Sequence, residues 1–146
     1  MKRIFLIITV LAGLNSPAFA QKKPTFKAKP AVASASASVL KGKSIYAQYC
    51  LSCHQADGGG VDGLNPPLTK TDYVLGDKTR LVNVLVHGLK GVDVNGEEYH
   101  NNMPSQDFLT DQQMADVLTY VRNSFGNKAS AVTVAEVKAV RTTTNK

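Results

Sequence analysis

The sequence predicts a small, mainly α-helical domain, because three of its segments carry helix signals and its strand signals are confined to one short hairpin. Its 146 residues suit one small domain with extensions at both ends. The hydrophobic fraction of 43% is that of a globular protein. The chain has no tryptophan and 7% aromatic residues, so its core would be thin, and we expect a bound group to add apolar bulk.

Two helices are predicted in the first 90 residues. The first covers about residues 39–49 and contains Gly42, which costs helix stability and therefore indicates close packing against another helix. The second covers residues 78–87, with Asp77 as its N-cap and Gly88 as its stop. Its apolar stripe is formed by Leu81, Val82, Leu85 and Val86.

The strongest local pattern predicts a helix over residues 111–125. Thr110 is its N-cap, and Gln113 completes a capping box. Gly126 and Asn127 end it. Its apolar residues share one face, and they are Met114, Val117, Leu118, Val121 and Phe125.

Two irregular stretches connect these helices. Residues 92–94 and 97–99 flank Asn95-Gly96, which predicts a hairpin with a two-residue type I′ turn. Residues 57–68 hold four glycines and two prolines, a composition that prevents regular structure. We expect this loop either to approach a flat ligand closely, as glycine allows, or to be a mobile surface loop.

The two cysteines of the chain stand in Cys50-Leu51-Ser52-Cys53-His54. This is the Cys-x-x-Cys-His pattern of c-type haem attachment. Two thiols three residues apart on one turn can reach the two vinyl groups of a porphyrin, and the imidazole that follows can bind the iron. The sequence therefore predicts one haem c, held covalently by Cys50 and Cys53, with His54 as an axial iron ligand.

Three other interpretations of the cysteines compete with haem attachment. A thioredoxin-like redox pair would need a βαβ context, which the sequence does not show. Half of a zinc site would need two more ligands, for which His87 and His100 are available although their spacing does not suggest it. A structural disulfide would have an unusually tight two-residue spacer.

The second axial ligand is predicted to be Met103. Met114 is explained by the apolar stripe of its helix, whereas Met103 lies in a polar loop before Pro104 and has no packing explanation. A thioether opposite a histidine binds haem iron well and raises its reduction potential. His100 is the main competitor, and His87 is interpreted as a helix-end histidine favoured by the helix dipole.

An iron-bound imidazole usually donates its other N–H group to a fixed acceptor. The ring constraint of Pro66 and Pro67 fixes the local backbone, so either residue could offer a carbonyl oxygen to His54.

The two ends of the chain are predicted to lie outside the domain. Residues 1–20 have the basic start, apolar stretch and small-residue cleavage site of a secretory signal peptide, which predicts export to the periplasm and no transmembrane anchor after cleavage. Residues 21–39 form a flexible tether rich in Lys, Pro, Ala and Ser. Residues 128–146 form an extension in which Thr133 and Glu136 repeat the capping box and start a short helix, marginal on its own.

The net charge of +6 does not indicate a nucleic-acid-binding protein. Residues 44–127 hold ten acidic and five basic residues, and the excess of basic residues lies in the ends of the chain. An acidic domain instead favours redox partner proteins with basic docking surfaces.

Several motifs, taken in order, resemble class I cytochromes c over about residues 40–127. The resemblance implies a small all-α domain of three to five helices around one covalently bound haem. It also implies that the first and last helices of the domain cross near Gly42 and Tyr120, and that Pro66 holds His54. The motifs are Gly42-x-x-x-Tyr46, residues 50–54, Pro66-x-Leu68, Met103-Pro104 and the terminal amphipathic helix.

More narrowly, the hairpin, residues 117–123 and residues 132–141 are similar to cytochrome c domains associated with copper nitrite reductases and periplasmic dehydrogenases. The function implied is a periplasmic single-electron carrier that cycles its haem between Fe(II) and Fe(III) and is not itself an enzyme. One alternative is a haem-bearing subunit of a larger dehydrogenase, oxidase or reductase complex. Another is a haem enzyme or gas-binding protein with an open sixth position, which needs Met103 to be absent from the iron. A catalytic His or Arg on the distal side would support it, and the arginines of the domain are Arg80 and Arg122.

Overall fold

The computed structural model describes residues 31–91 and 93–144, and their architecture is all-α with one short hairpin. No helix among these residues is long and apolar enough to cross a membrane. The elements in chain order are α1 (Ala31–Tyr49), α2 (Leu51–His54), α3 (Asp72–Leu75), α4 (Lys78–His87), β1 (Asp93–Val94), β2 (Glu97–Glu98), α5 (Asp111–Arg122) and α6 (Val134–Thr144).

The first and fifth helices cross at Gly42, as the resemblance implied. A β-carbon at this position would overlap the backbone carbonyl oxygen of Asp116 and would lie 2.7 Å from the β-carbon of Tyr120. Glycine therefore sets how closely the two helix backbones approach. One turn further along α1, the ring of Tyr46 packs against that of Tyr120, with the centroids 5.4 Å apart.

Helix α1 begins at Ala31, eight residues before the predicted start. The prediction of a flexible tether over residues 21–39 is therefore wrong for residues 31–39. Alternating Ala and Ser gave no apolar stripe, but alanine has the highest helix propensity. The side chains of Ala35 and Val39 are half-buried on the helix face that carries Gly42. The predicted signal peptide and residues 21–30 lie outside the described residues.

Helix α4 has its predicted bounds and caps, whereas α5 ends earlier than predicted. The side chain of Thr110 and the amide of Gln113 form the predicted capping box of α5. The helix ends at Arg122 instead of at Phe125, because Asn123 already leaves helical geometry with a φ of −125°, and Phe125 takes a φ of 57°. This left-handed turn brings the Phe125 ring against the Tyr46 ring, with the two ring centroids 5.3 Å apart.

The hairpin and α6 follow the sequence signals. Asn95 and Gly96 have φ values of 56° and 85°, as a type I′ turn requires. Helix α6 starts after the predicted capping box, in which Glu136 accepts hydrogen bonds from the backbone and hydroxyl of Thr133. Its inner face joins the core of the domain through the buried residues Val137 and Val140, and Val132, just before the helix, is buried in the same core.

Two ion pairs fasten α6 to the rest of the molecule. The Lys78 ammonium group lies 2.9 Å from Glu136, and the Arg141 guanidinium group lies 2.8 Å from Asp111. Arg141 also donates to the backbone carbonyl of Leu109. The predicted extension is therefore packed against the domain through both apolar and charged contacts.

Candidate haem site

The Cys-x-x-Cys-His segment forms a helical turn that follows directly on α1. The backbone N–H of Cys50 donates to the carbonyl of Tyr46, and the N–H groups of Cys53 and His54 donate to the carbonyl of Cys50 at 3.2 and 3.0 Å. The hydroxyl of Tyr46 donates to the Gln55 carbonyl at 2.6 Å. The turn is thus held at both ends, and it places two thiols and one imidazole within five residues.

The two thiols differ in their surroundings. Cys50 is half-buried, and burial, followed by the charge of Cys53, raises the pKa of its thiol to about 11. Cys53 is exposed, and neither thiol is bonded to the other. A thioredoxin-like redox pair would need a βαβ unit around the cysteines, and the described residues have helices on both sides of this segment instead.

His54 is buried, with 7% of its surface exposed. Its Nδ1 lies 3.0 Å from the carbonyl oxygen of Pro66. A carbonyl can only accept, so Nδ1 carries the proton and Nε2 keeps a lone pair for a metal. Burial lowers the pKa of His54, against the opposing effect of the Pro66 hydrogen bond. A buried neutral imidazole with this tautomer is the state that binds iron.

Glycine residues of the loop before Pro66 bring protein backbone close to it. Gly60 has a φ of 72°, and a β-carbon there would lie 2.7 Å from the Pro66 carbonyl oxygen. Gly58 has a φ of 73°, and a β-carbon there would lie 2.6 Å from carbon atoms of the Phe125 ring. These glycines therefore make their predicted close approach to other parts of the protein. At Gly60 this close approach fixes the carbonyl oxygen of Pro66, which accepts the hydrogen bond from His54.

Met103 is half-buried and is held by an isolated two-residue bridge. The backbone N–H of Leu89 donates to the Met103 carbonyl at 3.0 Å, and the Met103 N–H donates to the Leu89 carbonyl at 2.9 Å. Gly88 has a φ of 78°, and a β-carbon there would overlap the Met103 carbonyl oxygen. Gly88, which the sequence marked only as a helix stop, is therefore also required for the position of Met103.

The predicted site residues come together around one depression. Cys50, His54 and Met103 line two adjoining cavities. Cys53 and Pro66 also line the first cavity. The second cavity is walled by aliphatic side chains that include Leu68, Val74, Leu81, Leu85, Val117 and Leu118. Two thiols, a nitrogen donor and a thioether beside an apolar wall fit a haem c.

The competing ligands lie elsewhere. Met114 is 0% exposed in the core, as its place in the apolar stripe predicted. His87 and His100 are exposed, and the backbone N–H of His100 donates to the Gly63 carbonyl. The described part of the chain holds no group of three or more His, Cys, Asp or Glu side chains that could bind a metal ion. The histidines thus do not complete a zinc site with the cysteines.

Comparison with known proteins agrees with this geometry. Residues 39–125 match the sequence model of the family described as Cytochrome c. The chain belongs to the cytochrome c family. It is 36% identical over 110 residues to cytochrome c-552 of Thermus thermophilus, an alignment that covers 68% of this chain and 83% of that protein.

Two further relatives are parts of larger enzymes. The chain is 38% identical over 115 residues to the cytochrome c subunit of a quinone alcohol dehydrogenase of Gluconacetobacter polyoxogenes, covering 77% of this chain and 25% of that subunit. It is 35% identical over 104 residues to the gluconate 2-dehydrogenase cytochrome c subunit of Pantoea cypripedii, covering 68% of this chain and 24% of that subunit. The chain thus spans about a quarter of the length of these dehydrogenase subunits.

Membership of this family specifies the cofactor and the type of reaction. A cytochrome c carries covalently attached haem c with iron, and the family serves electron transfer. The class I fold predicted from the sequence, mostly helical with a small hairpin, is confirmed.

Proposed function

We propose that this cytochrome c is a single-electron carrier in which four residues hold the haem. Cys50 and Cys53 would form the two thioether bonds, and His54 and Met103 would bind the iron. The observation that carries the assignment is the 3.0 Å contact between Nδ1 of His54 and the carbonyl oxygen of Pro66. Because a carbonyl oxygen only accepts, this contact assigns the ring proton to Nδ1 and leaves Nε2 free, and Met103 lines the same cavity.

The bound haem supplies the reversible Fe(II)/Fe(III) couple, and the protein residues set its conditions. The Pro66 carbonyl fixes the ring of His54 and raises its basicity as a ligand. The thioether of Met103, when bound to the iron, would favour the reduced state and would leave no open coordination position for a substrate. The aliphatic wall excludes water, which lowers the local dielectric and disfavours the added charge of the oxidised state.

A catalytic haem with an open sixth position is less well supported. Arg122 is buried, and its guanidinium group donates to the backbone carbonyls of Val74 and Ser130 at 2.6 and 2.8 Å. Arg80 donates to Asp72 and stacks on the ring of Tyr73 at 4.2 Å. Both arginines are thus engaged in structural contacts, and neither borders the two cavities beside His54.

The cellular setting follows from the same proposal. The predicted signal peptide over residues 1–20 would bring the protein to the periplasm, where its redox partners would be dehydrogenases, reductases or terminal oxidases. The similarity to dehydrogenase subunits supports a second form of this function, in which the chain is the haem-bearing subunit of such a complex. Co-purification with a large catalytic subunit from the native host would favour this second form over a free carrier.

The proposed ligands are tested by comparing Met103→Ala with Met114→Leu in the haem-loaded protein. Met103→Ala removes the thioether beside His54, so we expect covalent haem to be retained while the reduction potential falls. Met114→Leu removes the buried thioether at nearly constant volume and should cost less than about 1.5 kcal/mol of stability. Its reduction potential should match that of the wild type.

An unchanged potential in Met103→Ala would remove Met103 from the iron. Haem that is released by acid and acetone from the wild-type protein would remove Cys50 and Cys53 as attachment points.

A further inference from the structure

Asn127 is a buried residue that joins two segments distant in the chain. It is 4% exposed and lies two residues beyond the stretch matched by the family model. Its side-chain Nδ2 donates to the carbonyls of Leu68 and Val121 at 2.9 and 2.8 Å. Its Oδ1 accepts from the backbone N–H of Lys70 at 2.8 Å. Both ends of the amide are therefore used, and no other residue type offers two donors and an acceptor in this shape.

These bonds hold the segment that follows Pro66. Lys70 has a φ of 54°, a left-handed conformation that costs free energy for a residue with a side chain. The side-chain oxygen of Asn127 accepts a hydrogen bond from the backbone N–H of this strained residue. On its other side, the backbone N–H of Leu68 donates to the Gly58 carbonyl at 2.7 Å. Residues 68–70 are thus fixed between the end of α5 and the glycine-rich loop.

The fixed segment starts only two residues after the acceptor of His54. Pro67 lies between Pro66 and Leu68, and the proline rings restrict the backbone there to few conformations. A displacement of Leu68 is therefore passed to the Pro66 carbonyl instead of being absorbed by the chain. We propose that Asn127 is a positioning residue for His54, because it holds the Pro66 carbonyl within hydrogen-bond distance of Nδ1.

This inference rests on the proposed role of His54 as an iron ligand. A hydrogen bond from Nδ1 makes the imidazole a stronger electron donor and stabilises the oxidised iron. Loss of the bonds made by Asn127 would loosen the Pro66 carbonyl and weaken this effect. The Nδ1 proton of the His54 ring would then exchange with solvent more readily, and the reduction potential of the haem would rise.

The test compares Asn127→Ala with Thr119→Val in the haem-loaded protein. Thr119 is 0% exposed, and its hydroxyl donates to the Val132 carbonyl and accepts from the Val132 N–H at 3.2 and 3.0 Å. Like Asn127, Thr119 has a buried polar side chain that hydrogen-bonds to the backbone of a distant segment. Thr119 lies within α5, and Asn127 follows the end of α5. Its bonds lead toward α6 and not toward Pro66, so Thr119→Val controls for a general loss of stability.

The primary readout is the exchange of the His54 Nδ1 proton with deuterium, followed by NMR in the ferrous protein labelled with 15N-histidine. Loss of a net hydrogen-bond contribution should make this exchange about tenfold faster in Asn127→Ala than in Thr119→Val. Reduction potentials are measured on the same samples, and that of Asn127→Ala should be the higher. Asn127→Ser, which keeps a short polar group, is measured by the same criteria if Asn127→Ala does not fold.

An exchange rate in the Asn127 variants equal to that of Thr119→Val would overturn the proposal, because Asn127 would then contribute to stability alone. Failure of the underlying function would look different. In that case the wild-type His54 ring signals would lack the large shift produced by a haem ring current.

Discussion

The two sides of the haem cavity are built in different ways. His54 lies on a helical turn that continues α1, and its ring is buried and hydrogen-bonded to Pro66. Met103 lies in a loop, is half-buried, and is held by two backbone hydrogen bonds to Leu89, fourteen positions earlier in the chain.

The histidine side thus continues from the helix that crosses α5 at Gly42, whereas the methionine side depends on two loops that meet. Loops supported by few backbone contacts open at lower free energy than packed helices. The difference implies that damage to the helix crossing unfolds the whole domain, whereas damage to the loop pairing releases the methionine first.

The largest expected effect is that of Gly42→Ala, which strikes the histidine side. The added β-carbon would overlap the Asp116 carbonyl, so the substitution should lower the free energy of unfolding by about 3 kcal/mol. Gly63→Ala is the control, since Gly63 has a φ of 66° but no atom within 4 Å of the new carbon. It should cost about 1 kcal/mol. Denaturant unfolding of the haem-loaded proteins measures both values, and a smaller loss in Gly42→Ala than in Gly63→Ala would be inconsistent with the helix crossing.

Gly88→Ala strikes the methionine side and should have an intermediate effect. A β-carbon there would overlap the Met103 carbonyl oxygen in a backbone conformation that disfavours it, so we expect a loss of about 2 kcal/mol. Unlike Gly42→Ala, the folded variant should bind carbon monoxide in its ferrous form, because Met103 is displaced. Gly91→Ala, with a φ of 59° and open space around it, is the matched control. A ferrous Gly88→Ala protein that does not bind carbon monoxide would show that the backbone pairing with Leu89 does not hold Met103 at the iron.

The smallest effect concerns α6, which lies apart from both sides of the cavity. The pKa of Glu136 is lowered, and the largest cause is the hydrogen bond that its carboxylate accepts from the backbone N–H of Thr133. The stability that this carboxylate contributes is therefore present above its ordinary pKa of 4.5 and is lost as the pH falls through the lower folded value. Because the side chain is 40% exposed, Glu136→Gln should remove only about 0.5 kcal/mol at neutral pH.

The unfolding free energy of Glu136→Gln should accordingly depend less on pH in the acid range than that of the wild type. Glu97→Gln, on the exposed hairpin, serves as the control for a general change in charge. Identical acid profiles for the wild type and Glu136→Gln would exclude Glu136 as a contributor.

The sequence predicted those parts of the fold whose signals are local. The caps at Asp77 and Thr110, the Asn95-Gly96 turn and the second capping box at Thr133 each consist of residues at most three positions apart, and all were found where predicted. The crossing at Gly42 needed the family resemblance, because a glycine within a helix indicates a close neighbour without saying which one.

Other features depend on distant parts of the chain and gave no readable signal. The bridge between Leu89 and Met103 and the bonds of Asn127 to residues 68–70 join segments that only the folded chain brings together. The start of α1 at Ala31 was missed for a different reason, because small residues packed against a helix do not form an apolar stripe. The single-turn helices α2 and α3 are too short to show a period.

The claim that His54 and Met103 close the iron from both sides is tested most directly by adding carbon monoxide to the ferrous wild-type protein and recording its visible spectrum. A closed histidine–methionine pair predicts a low-spin spectrum that carbon monoxide leaves unchanged. A high-spin spectrum that shifts on addition of carbon monoxide would contradict the pair and would favour a haem with an open position.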